Sequence, residues 1–337
     1  MAMNKTYTSF TICNLDYTDK YIVLTLQIMD CYVNPTVSIL GFIANMMSIE
    51  ILRRSGLTKT SNILLLGLVV SDSMSQLTTM NFAIILEVFG SNWEYPELCG
   101  WQYGDELNYF LLVCNIVFKF LGFWGQYVNT AVPVLIVVER VLAVFKPLAF
   151  RDIVTRRAVV VGVVSTYIFW LPWSIFWMTI YNVSILMSKV MFLSRYTFLI
   201  KETTVFTVFY FYVCDILSSW FPMSFVIMGS ILTWVKVKRT LNQRKKLTAA
   251  GQHVQWSKKT TRTLLTTCSI FSITHVVYSV MNYLIPDDDL LIHYIKLDFM
   301  SLVYLINTSS NFFVYVLANR KLLNVFRQIM HFDRHQV

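Results

Sequence analysis

Seven segments of this chain are each long and apolar enough to cross a lipid bilayer: roughly residues 22–49, 62–89, 107–138, 157–180, 205–235, 263–285 and 296–317. A helical span needs about 20 predominantly apolar residues. Inside lipid no water is available to a backbone N–H or C=O, so each segment must close its own hydrogen bonds, which selects helices over strands. The connections are short, and no stretch has the composition of a linker, a repeat or a low-complexity tail. The expected fold is therefore an all-α membrane protein, a seven-transmembrane helix bundle in one domain.

Charge supports lipid as the solvent. Only 14% of the 337 residues are charged, against about 25% in soluble domains. The net charge of +9 falls in short clusters between apolar runs and makes no separate basic domain, which speaks against nucleic acid as a partner. Six cysteines form no CxxC pair, so a metal site is not expected.

Lys and Arg also set the expected orientation. One side of the bundle collects Arg53, Arg54, Lys59, Lys146, Arg151, Arg156, Arg157, nine basic residues of the 236–262 loop, and Arg320, Lys321, Arg327 and Arg334. The other side has Lys5, Lys20, Lys189, Arg195, Lys201 and Lys296. Positive loops stay in the cytoplasm. The reading is an extracellular N-terminal stretch over 1–20, a bundle over 21–318 and a cytoplasmic segment over 319–337, in the plasma membrane. Two glycosylation sequons, at Asn4 and Asn182, fall on the outer side in this reading.

Ionisable and amide groups at membrane depth are costly and face the bundle interior. Asp72 lies in the middle of the second span, Asn45 in the first, Asn129 in the third, and Asn307 and Asn311, four residues apart, on one face of the seventh. Together these surround either a small cation such as Na⁺ or a hydrogen-bonded network without an ion; oxygen ligands suit both. In the third span Lys119, Gly122, Phe123, Gln126, Asn129, Thr130 and Pro133 recur at spacings of three and four and make one polar face. Lys119 reads as an anion contact in a ligand pocket, or as a cation snorkelling to the interface or paired with Glu87. Asp215 and His275 complete the candidate pocket; their plainer readings are a solvated acid and a satisfied core histidine. An acidic run, Asp287-Asp288-Asp289, stands between the sixth and seventh spans and either steers a basic ligand or is simply solvated.

Ordered motifs sharpen the picture. The third span ends in Glu139-Arg140-Val141, with Pro147-Leu148 following. Gly41-Phe-Ile-Ala-Asn45 lies in the first span, Leu68-Val-Val-Ser71-Asp72 in the second, Pro222 in the fifth, Phe271 in the sixth, and Asn311-Phe-Phe-Val-Tyr315 in the seventh. In this order the set resembles the rhodopsin-like G-protein-coupled receptors over about residues 20–330. The resemblance implies that Glu139 holds Arg140 at rest, and that Arg140 with Val141, Pro147 and Leu148 meets a heterotrimeric G protein. It implies activation roles for Tyr315, Phe271 and Pro222. It also implies a short amphipathic eighth helix after Asn319, lying on the membrane lipids. An extracellular ligand is expected in a pocket at Glu87, Lys119, Phe123, Gln126, Asp215 and His275.

The form Asn307-Thr-Ser-Ser-Asn-Phe-Phe-Val-Tyr315 is similar to that of invertebrate neuropeptide receptors of the FMRFamide and myosuppressin type. Invertebrate chemosensory receptors for small molecules carry it too. The chain departs from the family pattern at several points. Phe312 replaces a proline, Thr274-His275-Val-Val277 replaces Cys-Trp-x-Pro, and Ser230 replaces a tyrosine. No cysteine lies in 181–204, so the family's outer disulfide is not expected. Gly122 and Leu305 stand where amine receptors carry Asp and opsins carry Lys, which points away from both ligand types. A transporter would show internal repeats or paired interrupted helices, and His275 alone is too little for an enzyme's catalytic set.

Overall fold

The computed structural model describes residues 25, 28–80, 105–180, 212–214, 216–247, 255–284, 290–318 and 320–332. Its helices are α1 (Asn34–Ser55), α2 (Thr60–Gln76), α3 (Asp105–Phe145), α4 (Arg156–Ile180), α5 (Phe221–Leu247), α6 (Gln255–Leu284), α7 (Leu290–Ala318) and α8 (Arg320–Phe332). A single turn, Phe150–Ile153, lies between α3 and α4, and π-helical turns, Met29–Val33 and Ile216–Trp220, lead into α1 and α5. The second π turn prepares for Pro222. Proline has no N–H to offer the preceding turn, and a π bulge there absorbs the mismatch.

Polar and apolar residues are placed inside out. Exposed apolar side chains run along α1 (Leu40, Ile43), α4 (Val161, Val164, Ile168), α5 (Met228, Ile231) and α6 (Ile273, Val280). Buried residues include Asn34, Asn45, Asp72, Gln76, Asn129, Glu139, His275, Asp298 and Asn311. This is the arrangement lipid demands. Among the described residues four helical stretches are long and apolar enough to cross a membrane: Asn34–Ser55, Ile116–Phe145, Arg156–Phe176 and Tyr212–Thr240; α6 adds a shorter apolar stretch, Thr266–Met281.

The observed boundaries differ from those expected. α2 ends at Gln76 instead of near 89, and hydrogen-bonded turns follow it over Leu77–Thr79. α5 and α6 extend to Leu247 and back to Gln255, so much of the expected basic loop is helix. Lys and Arg are good helix formers, and hydropathy marks where lipid ends, not where the helix ends. α7 starts at Leu290, and Lys296, counted on the outer side at the start of the seventh span, is 2% exposed.

Among the described residues the largest apolar cluster lies in the half of the bundle nearer Arg140. Ile51 and Leu52 of α1, Leu64 and Leu68 of α2, Val128, Val132 and Ile136 of α3, Trp170 of α4, Phe312 and Val316 of α7 and Leu322 of α8 form one cluster. Val137, Val226, Cys268 and Phe271 form a second between α3, α5 and α6, against which Val141 packs. α4 is held by aromatic contacts. Trp124 Nε1 donates to the Tyr167 carbonyl at 3.0 Å, Tyr167 Oη donates to the Gly67 carbonyl of α2 at 2.8 Å, and Tyr127 stacks on Trp170 at 4.9 Å. Gly56, at φ 87°, closes α1 in a conformation that L side chains rarely adopt. Asn62 then donates to its carbonyl at 2.8 Å, fixing the turn into α2.

Candidate functional site

The polar face of α3 divides between two tasks. Gly122, Gly125 and Asn129 face α2 at close range. A Cβ on Gly122 would stand 1.9 Å from Thr78 Oγ1, and one on Gly125 would stand 2.5 Å from the backbone nitrogen of Ser75. Small residues on both helices thus bring the backbones together, as in other membrane interfaces. That approach lets Asn129 Nδ2 donate to Asp72 Oδ1. From the opposite side Asn311 Nδ2 of α7 donates to Asp72 Oδ2 at 2.7 Å. Asp72 has no exposed surface.

Two of the five expected members stand elsewhere. Asn45 Nδ2 donates to Gln76 Oε1 and to the Thr308 carbonyl, each at 3.3 Å, and does not reach Asp72. Asn307 is buried on α7, where its carbonyl accepts from Ser310, and makes no hydrogen bond to Asp72. The reason is height along the bundle. Asn307 and Asn311 share a face in projection, but only Asn311 lies level with Asp72. Both carboxylate oxygens receive amide hydrogens here, and each keeps a lone pair beyond that contact.

The second task of the α3 face is to line a cavity. Lys119, Phe123, Gln126 and Thr130 line a space of about 530 Å³ with Ser75 of α2, Thr78 and Thr79 of the turn after it, Thr274, His275 and Tyr278 of α6, and Asp298, Ser301 and Tyr304 of α7. Ser218 and Ser219, in the π turn before α5, close one side. Hydroxyls, amides and both signs of charge thus converge on one space. Of the expected pocket residues, Lys119, Phe123, Gln126 and His275 meet there. Glu87 and Asp215 lie outside the described residues, as do Asn4, Asn182 and the 287–289 acids. His275 Nδ1 lies 3.1 Å from the Phe271 carbonyl, and its ring is 4.0 Å from that of Phe271, joining the cavity wall to the α3–α5–α6 core. Asp298, to which the sequence pattern did not point, lies beside Asn34, whose Nδ2 donates to the Asp298 carbonyl at 3.4 Å.

At the far end of α3, Arg140 Nε lies 2.7 Å from Glu139 Oε2, an ion pair by distance whose angle is not that of a hydrogen bond. Glu139 Oε1 accepts from Thr60 Oγ1 of α2 at 3.3 Å. The arginine side chain is 16% exposed, and Cys268 of α6 is within electrostatic reach of it. Nearby, Pro147 and Leu148 stand out of the bundle, Leu148 at 95% exposure. Pro222 is buried at the start of α5, and Phe271 is buried between α5 and α3. Tyr315 is on α7, with its side chain outside the described atoms. Phe312, in the place of the family's proline, leaves α7 unbroken and packs edge-on against Phe326 of α8 at 5.9 Å. Thr60 could not have been singled out from sequence, because nothing local ties it to a residue 79 positions away. Gln76 had a signal, standing one turn after Asp72 on the same helix face.

The family model for the 7 transmembrane receptor (rhodopsin family) matches residues 45–315 of the chain. No individually curated protein matches it. The matched region holds the Asp72 node, the Glu139–Arg140 pair and nearly all of the cavity. By that match and this geometry the chain belongs to the rhodopsin family of seven-transmembrane receptors, proteins that signal through G proteins and are not enzymes.

Proposed function

We propose that the chain is a plasma-membrane receptor whose cavity opens to the outside and admits the end of an extracellular peptide, as in neuropeptide receptors. The carrying observation is the convergence of Lys119, Gln126, His275 and Asp298 on one cavity. A cation and an acid in a hydroxyl-lined space suit a ligand with charged and hydrogen-bonding groups close together, which a peptide terminus has. Lys119 takes an anionic group or a carbonyl oxygen, Phe123 supplies an apolar wall, and the hydroxyls fix orientation. The basic clusters at the Arg140 end support a cytoplasmic placement of that end. There the ligand favours a state in which Arg140 leaves Glu139 and, with Val141, Pro147 and Leu148, meets the G protein.

The test is a second-messenger screen of peptides and small molecules on expressing cells. For an active peptide, Lys119→Met is expected to reduce potency about tenfold or more, since a charge-assisted hydrogen bond contributes about 1.5–3 kcal/mol. Unchanged potency at equal surface expression rejects the assigned contact. Arg140→Ala is expected to abolish ligand-driven nucleotide exchange while the protein still reaches the surface. Tags at the two chain ends of intact cells check orientation: only the N-terminal tag is expected to bind antibody.

A second reading has one observation in its favour. The cavity volume falls within the range of about 300–1,000 Å³ typical of small-molecule sites. A chemosensory receptor for a small polar molecule fits that volume, and a response to small molecules with none to peptides would select it.

A further inference from the structure

The last turn of α2 carries a buried amide that stands between the cavity and the Asp72 node. Gln76 has no exposed surface. Its Nε2 donates to Thr308 Oγ1 and Ser309 Oγ of α7, each at 3.2 Å. Its Oε1 accepts from Asn45 of α1 at 3.3 Å, and its backbone carbonyl accepts from Ser38 Oγ of α1 at 2.6 Å. One residue therefore ties three helices together. The room for it comes from Gly41, where a Cβ would stand 2.1 Å from Ser309 Oγ and 2.3 Å from Gln76 Nε2.

Its position along the bundle gives this clasp meaning. One turn toward Arg140, Asp72 grips α7 at Asn311. In the other direction Thr78 and Thr79 line the cavity, and Thr79 bonds back to the Gln76 carbonyl through its backbone nitrogen (3.3 Å) and its Oγ1 (3.2 Å). α2 thus holds α7 at two successive levels, and the level nearer the cavity is bonded directly to the cavity wall. In the same structure Arg140 is paired with Glu139 and largely covered. A buried amide that loses its partners carries a desolvation cost, so the clasp favours the one arrangement that satisfies it.

We propose that Gln76 is a positioning residue that holds α7 against α1 and α2 in the arrangement where Arg140 is covered, so that loosening it shifts the receptor toward signalling. This rests on the receptor reading above.

The test uses the purified full chain in nanodiscs with a heterotrimeric G protein. Gln76→Leu, which keeps the bulk and removes the amide, is expected to raise ligand-independent nucleotide exchange about fivefold or more, a common size for coupling between sites. Gly41→Ala, which displaces the same amide, should move exchange in the same direction. Paired spin labels at Lys59 and Arg327 read the helix arrangement without any G protein, and should give a narrow distance distribution in the parent chain and a broadened or displaced one in both variants. Exchange at or below the parent level in Gln76→Leu overturns the proposal. If that variant does not fold, Ser309→Ala, which removes one bond of the clasp, decides by the same two measurements. If the parent chain exchanges no faster than Arg140→Ala, the receptor reading is at fault. The spin-label distances then judge the clasp alone, and unchanged distances overturn it.

Discussion

Asn311 of α7 donates its side-chain amide to Asp72 of α2 at 2.7 Å, joining residues 239 positions apart in the chain. Asn129 of α3 donates to the other carboxylate oxygen. The carboxylate is thus the shared acceptor of two amides from two helices, with no surface open to solvent.

Asp72→Asn puts an amide nitrogen against one of those donors. The variant is expected to lose about 1–3 kcal/mol, the cost of leaving a buried polar group unsatisfied, seen as a lower unfolding temperature of the detergent-solubilised protein. The swap Asp72→Asn with Asn311→Asp restores one acceptor–donor pair between α2 and α7 and should recover part of the loss. A swap no more stable than the single variant would show that the contact is not what holds these helices.

The same node bears on sodium. With amide hydrogens on both oxygens, replacing NaCl by choline chloride at equal ionic strength should leave the unfolding temperature unchanged. A clear fall in choline would mean that the node holds an ion.

Close approach of α2 and α3 depends on Gly125. A Cβ there meets backbone atoms, Ser75 nitrogen at 2.5 Å and Ser71 oxygen at 2.7 Å, which cannot rotate away. Gly125→Ala is expected to destabilise by about 1–3 kcal/mol through overpacking. Gly162 of α4 is the contrast: a Cβ added there would find its nearest neighbour, Leu135, at 3.9 Å, and Gly162→Ala should be neutral or stabilise by up to about 1 kcal/mol through helix propensity. Equal effects at both positions would contradict the packing argument.

Thr60 steadies the Glu139–Arg140 pair. Thr60→Val removes the hydroxyl from Glu139 Oε1, and the carboxylate, less well held, should release Arg140 more readily. Basal nucleotide exchange is expected to rise severalfold, and to rise further in Glu139→Gln, which also removes the charge. Exchange in Thr60→Val at or below that of the parent chain would exclude this role.

Much of this protein is legible in its sequence. Long apolar segments select helices because lipid offers the backbone no alternative partner, and polar groups within them must turn inward for the same reason. The order of Asn45, Asp72, Glu139-Arg140, Pro222 and Asn311 along those segments points to the family that the matched region, residues 45–315, bears out. Helical periodicity likewise brings Lys119, Phe123 and Gln126 to one face of α3, and they do line one cavity. Partners are a different matter. Periodicity gives a residue's angle around its own helix but neither the tilt of that helix nor its level against a neighbour. By that measure Asn45 and Asn307 stand as near to Asp72 as Asn129 and Asn311 do. Only the packed bundle, set by where Gly41, Gly122 and Gly125 let backbones approach, decided that Gln76 takes Asn45, that Thr60 reaches Glu139, and that Lys296 is buried. Those contacts are a few ångströms of relative height between helices, a quantity that no single segment contains.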